Sequence, residues 1–123
     1  VITDSHFGAR DRMGRLLVFM ARIICDGWAS SVKAIAVDER TAVAVEGDGR
    51  AKVIGSGRAY FLLTTGTPET CVKGRPLTFR NIRAFSLAPG GSFDLRTWTG
   101  TGGRAYTLSA VDGRIEADGG AVY

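Results

Sequence analysis

The sequence predicts an α/β fold made of a βαβ unit followed by a β-rich antiparallel region, and three observations predict it. A β-branched opening, Val1-Ile2-Thr3, precedes apolar residues at helical spacing between Arg10 and Trp28. The continuous apolar run Ala34-Ile35-Ala36-Val37 then suits a strand buried on both faces. Beyond Thr41, short alternating stretches are separated by glycine-bearing turns. The length of 123 residues is that of about one domain, and 45% hydrophobic with 23% charged residues is the makeup of a globular chain. No apolar run approaches the roughly 20 residues that a membrane helix needs, and no membrane partner is expected.

The elements follow in order. Val1 to Thr3 is a short strand that gives way to the polar Asp4-Ser5-His6. Met13, Leu16, Leu17, Met20, Ile23, Ile24 and Trp28 fall on one face of an amphipathic helix, with Asp11 in its first turn and Gly27 near its end. The apolar strand 34–37 completes strand, helix, strand, for which a right-handed crossover is expected. Thr41 to Glu46 and Ala51 to Ile54 form a hairpin around Gly47-Asp48-Gly49. Ala59 to Leu63 is a strand, residues 64–76 are a loop, and Leu77 to Leu87 alternates as a longer strand. Pro89-Gly90-Gly91 turns into an extended Ser92 to Leu95. Residues 100–103 read as a flexible Thr- and Gly-rich stretch, and Tyr106 to Val111 and Arg114 to Glu116 flank an Asp112-Gly113 turn.

A net charge of +4 invites a nucleic-acid reading, but the basic residues are scattered, with 13 Arg to 3 Lys and no aromatic-interleaved basic patch. No nucleic-acid partner is expected. A guanidinium suits carboxylate recognition better than an ammonium, because its planar fork meets both oxygens. Cys25 reads as a buried thiol in the helix and Cys71 as a loop thiol, and without CxxC spacing no metal site or cofactor is expected.

The single histidine lies in Asp4-Ser5-His6-Phe7-Gly8-Ala9-Arg10-Asp11-Arg12-Met13-Gly14-Arg15-Leu16. It stands at a strand end facing a helix start, where open α/β sheets place their ligands. Asp38 and Glu39 end the next strand, so His6 and Glu39 are expected to share one crevice. Arg12 and Arg15, about one helical turn apart, are placed to reach an anionic ligand near His6.

These residues carry a resemblance. The run Asp4-Ser5-His6-Phe7 followed by Arg10-x-Arg12-x-Gly14-Arg15-Leu16 is similar to the cyanophycinase family of serine peptidases, relatives of the aspartyl dipeptidases, whose pattern is Asp-Gln-His-Phe and then Arg-x-Arg-x-Gly-Arg-Leu. The likeness continues through Ala36-Val37-Asp38-Glu39-x-Thr41-Ala42, Val53-Ile54-Gly55-x-Gly57 and Leu87-x-Pro89-Gly90-x-Ser92-Phe93-Asp94-Leu95. The resemblance implies a class I glutamine-amidotransferase-like (flavodoxin-like) sheet and a Ser, His, Glu triad. It implies His6 as general base, Glu39 as the acid that orients it, and Arg12 and Arg15 as holders of substrate carboxylates. Asp4 matches a substrate-site residue, and Asp38 competes with Glu39 for the orienting role. Ser5 stands where the family has Gln, replacing a substrate-binding amide with a small hydroxyl.

The family's nucleophile lies N-terminal to this motif. None of Ser5, Ser30, Ser31, Ser56, Ser86, Ser92 and Ser109 has a strand-to-helix elbow setting, because Gly55-Ser56-Gly57 runs on into a strand. With Val1 opening the chain inside a strand, the expectation is the C-terminal part of a longer precursor cleaved before Val1. A separate N-terminal chain would then supply the nucleophile and most of the parallel sheet, and the two-chain unit could assemble into higher homo-oligomers. The expected substrate is an acidic or β-aspartyl peptide. The alternative is a non-catalytic binding or assembly subunit on the same fold.

Overall fold

A computed structural model describes residues 1–123 as one helix and ten strands. The elements are β1 (Ile2–Asp4), α1 (Met13–Cys25), β2 (Lys33–Val37), β3 (Thr41–Val45), β4 (Arg50–Gly55) and β5 (Ala59–Leu63). They continue with β6 (Phe79–Leu87), β7 (Ser92–Asp94), β8 (Thr99–Thr101), β9 (Arg104–Val111) and β10 (Arg114–Ala117). Six strands form a sheet in the order β1-β2-β5-β6-β9-β10, and four form a second sheet in the order β3-β4-β7-β8. The β1–β2 pair is parallel, with Ile2 opposite Ala34 and Asp4 opposite Ala36, and every other pairing is antiparallel. The βαβ unit and the antiparallel region are thus as the sequence predicts, with the parallel component confined to one strand pair.

The period-two alternation of the central strands decides the layering, because successive side chains leave a strand on opposite faces. Ala34, Ala36, Tyr60, Leu62, Ile82, Ala84, Tyr106 and Leu108 form one core with Met13, Leu16, Leu17 and Met20 of α1. Burying each of the leucine, isoleucine and methionine side chains among them contributes about 1.5–3 kcal/mol. On the opposite face Phe61 and Leu87 meet Ala51, Val53, Phe93 and Trp98 in a second core. Phe61 and Phe93 stack with centroids 3.9 Å apart, and the Trp98 ring stands nearly perpendicular to both. Helix, six-stranded sheet and four-stranded sheet make three layers.

The helix is shorter than its apolar pattern. Asp11 has a left-handed φ of 46°, so it precedes the helix instead of lying in the first turn, and Gly27 at φ 77° follows its end. Trp28 lies outside the helix and is exposed. Cys25 also points to solvent, contrary to the buried thiol expected, and both cysteines are free. The stretch read as flexible contains β8, with Gly100 and Gly103 packed against the Phe85 ring so closely that a Cβ on either would come within 2.4–2.6 Å of it. These glycines serve close packing, not mobility. No helix is long and apolar enough to cross a membrane.

Candidate active site

The carboxyl ends of β1 and β2 lie side by side, because the pair is parallel, and the residues that follow them form the site. Asp4 closes β1. Its side chain is only 5% exposed and receives Arg12 Nη1 at 3.4 Å, Arg15 Nε at 3.3 Å, a second bond from Arg15 Nη2, and the Ser5 amide at 2.8 Å. Arg12 Nη1 also donates to the Ser5 carbonyl at 2.8 Å. Both guanidiniums thus meet one anion beside His6, and that anion is Asp4 itself. One carboxylate meeting two guanidiniums leaves the cluster with an excess positive charge. The Arg15 side chain remains 44% exposed and holds that charge toward solvent.

His6 is exposed and adopts a left-handed φ of 52°, a conformation that a non-glycine residue keeps only when its surroundings impose it. Its neighbours impose it: the Phe7 amide donates to the Val37 carbonyl at 3.1 Å, and the Gly8 amide donates to Asp38 Oδ1 at 2.9 Å. The imidazole Nδ1 lies 3.3 Å from Ser5 Oγ, a contact in which the tautomer decides which group donates.

The two carboxylates after β2 have different surroundings. Asp38 is committed to the fold, with Oδ1 on the Gly8 amide and Oδ2 accepting the Arg58 amide at 3.0 Å and the Tyr60 hydroxyl at 3.5 Å. Tyr60 is held well above the usual phenol range, first by burial and then by the nearby Asp38 charge. Glu39 is exposed, and its backbone carbonyl accepts the Thr41 hydroxyl at 2.9 Å while its carboxylate makes no hydrogen bond. His6 and Glu39 follow adjacent strands, but no hydrogen bond or ion pair joins His6 to Glu39 or to Asp38.

Ser56 lies in a corner whose glycines are explained by packing. A Cβ on Gly57 would meet Asp38 Cβ at 2.6 Å and Thr41 Oγ1 at 2.7 Å, so the Gly55-Ser56-Gly57 segment is a close approach to Asp38 and leads into β5. No cluster of three or more His, Cys, Asp or Glu residues is arranged to hold a metal ion.

Two residues at the site were not singled out from the sequence. Tyr60 carried only the signal of a strand residue. Tyr123 carried none, yet its hydroxyl donates to Asp11 Oδ1 at 2.7 Å and accepts the Met13 amide at 3.0 Å.

No protein-family model matches the chain. Two curated proteins, the cyanophycinases of Trichormus variabilis and of a Nostoc species, are each 33% identical to it over 99 residues. Each match covers 77% of this chain and 31% of the relative, so the chain spans about a third of the length of the curated relatives it matches.

Proposed function

We propose that this chain, a distant and partial relative of the cyanophycinases, supplies the histidine-bearing part of a serine-type peptidase that hydrolyses peptide or isopeptide bonds next to an acidic residue. The observation that carries the reading is the convergence of Asp4, Arg12 and Arg15 beside His6 at the ends of a parallel strand pair. In this reading His6 takes the proton of a serine hydroxyl as it attacks the scissile carbonyl, and returns it to the leaving amine. Glu39 is the acid that orients the imidazole. Its carboxylate is free of other bonds and it follows the strand paired with β1, whereas Asp38 is occupied by Gly8, Arg58 and Tyr60. The outward-facing Arg15, with Arg12 behind it, holds the substrate carboxylate, while Asp4 keeps the two like charges together.

The nucleophile comes from polypeptide outside these residues, on a class I glutamine-amidotransferase-like sheet that this chain extends. The edge of β1 supports that assignment. It is hydrogen-bonded to β2 on one side alone, and beside it a cleft of about 280 Å³ is lined by Ile2, Phe19, Arg22, Ile23, Asp26 and Trp28. Trp28 is 83% exposed and Phe19 46%. A free strand edge next to exposed large apolar side chains is a place for a further strand and its flanking layer to pack. We assign this edge to the N-terminal chain of the same precursor.

The separation of His6 from Glu39 favours a second reading, a non-catalytic binding or assembly subunit on the same scaffold. The test is to assemble the chain with its N-terminal partner and screen β-aspartyl and α-linked peptides alongside a serine-directed phosphonylating reagent. Release of the acidic residue together with labelling of one serine on the partner supports the peptidase. Binding of those peptides without turnover or labelling supports the second reading.

A further inference from the structure

We propose that Tyr123 is a positioning residue for His6, locking residues 5–12 in the conformation that presents the imidazole without itself touching the reacting atoms. The inference rests on the hydrolase reading only in that His6 is taken as the base. The connection between β1 and α1 contains two left-handed non-glycine residues, His6 at φ 52° and Asp11 at φ 46°. Such a path persists only where surrounding bonds over-determine it. At the His6 end those bonds come from β2 and Asp38. At the Asp11 end the Asp11 amide donates to the Gly8 carbonyl and the Arg12 amide to the Phe7 carbonyl, both at 3.1 Å, and Tyr123 adds the side-chain hold, its hydroxyl donating to Asp11 and receiving the Met13 amide.

The helix needs such a partner. Its N-cap residue is Arg12, which makes no side-chain capping bond, so the first amides of α1 lack a local acceptor. The phenol of Tyr123 fills that role from 110 residues downstream, with its acceptor lone pair toward Met13 and its proton toward Asp11.

The ring adds a second hold. It stands edge-on to Phe7 at 5.8 Å and to Tyr60 at 5.9 Å, and Phe7, which follows His6 directly, is fully buried. A Cβ on Gly8 would lie 3.9 Å from the Tyr123 ring. Tyr123 thus borders the connection at residues 7, 8, 11 and 13. The segment delivering it is tied down by bonds from Arg104 Nη2 to the Ala121 carbonyl and from the Tyr106 hydroxyl to the Val122 carbonyl, both 2.8 Å.

Tyr123→Phe removes the hydroxyl and keeps the ring. The chain has one histidine, so its imidazole resonances need no assignment. The expected result is at least tenfold faster amide exchange at Met13, displaced His6 resonances, and β5 and β6 amides exchanging at the original rate. In the assembly with the N-terminal chain, kcat falls about five- to tenfold with KM unchanged. Unaltered Met13 exchange and His6 resonances overturn the proposal, as does acceleration spread evenly over β5 and β6, which marks a general loss of stability. Full kcat alongside displaced His6 resonances overturns it too. Absence of turnover in the unsubstituted assembly sinks the hydrolase reading alone, and the exchange and resonance measurements still decide the role of Tyr123.

Discussion

The carboxylate of Asp38 receives the backbone amide of Gly8 at 2.9 Å, across 30 positions of sequence, and so ties the turn that carries His6 to the end of β2. The same side chain accepts the Arg58 amide and the Tyr60 hydroxyl. Asp38→Asn puts an N–H₂ group where an acceptor is needed and leaves a part-buried amide unpaired. It is expected to cost about 2 kcal/mol, read as a lower urea midpoint at unchanged slope. Glu39→Gln, at an exposed carboxylate with no bond, is expected to stay within about 0.5 kcal/mol of the original. Equal losses for the two would contradict the division of labour between these neighbours.

Asp4 is the hub of the arginine pair, and its own burial sets the size of the effect. Asp4→Asn replaces a charged acceptor 5% exposed to solvent and leaves two guanidiniums beside each other. A loss of about 2 kcal/mol is expected. Arg15→Ala removes a side chain 44% exposed, and solvent screening limits its loss to about 1 kcal/mol or less. Denaturation of both variants at low and high salt checks this order, which reverses if Arg15 carries the stability of the cluster.

All three tyrosines ionise late. Burial raises Tyr60, Tyr106 and Tyr123 above the ordinary phenol range, helped by the Asp38 charge at Tyr60 and by the bond to Asp11 at Tyr123, which is pushed up to about 12. An unfolded chain loses its phenolic protons near pH 10, before the native state does, so it binds fewer protons between pH 10 and 12. The resulting stabilisation is fully present below about pH 10 and is lost as the pH rises toward 12. Absorbance at 295 nm is expected to show no tyrosine ionising near pH 10 in the folded protein. A native phenol with a midpoint at 10 would show that burial does not hold all three above the ordinary range.

Sequence patterning is most informative here where burial is periodic. The stripe Met13, Leu16, Leu17, Met20 locates α1, because the helix needs one dry face, and the extended run ending at Leu87 locates β6, although a register shift between Phe79 and Ile82 interrupts its alternation. The division into two sheets is not legible, since the hairpin signal at 41–54 and the extended Ser92 to Leu95 say nothing of which face another sheet covers. At the site, the spacing of Arg12 and Arg15 points to one shared position for their guanidiniums. It does not reveal that Asp4 already occupies them, nor that Tyr123 returns to cap α1, because both depend on contacts between distant segments.

His6 is proposed here as the base of a serine-type hydrolysis completed by the N-terminal chain. Its most direct test is the turnover of a β-aspartyl peptide by that assembly with His6→Ala, with assembly itself followed by size. The expected result is an intact assembly that has lost about a thousandfold or more in kcat. An intact assembly that retains the original turnover would contradict it.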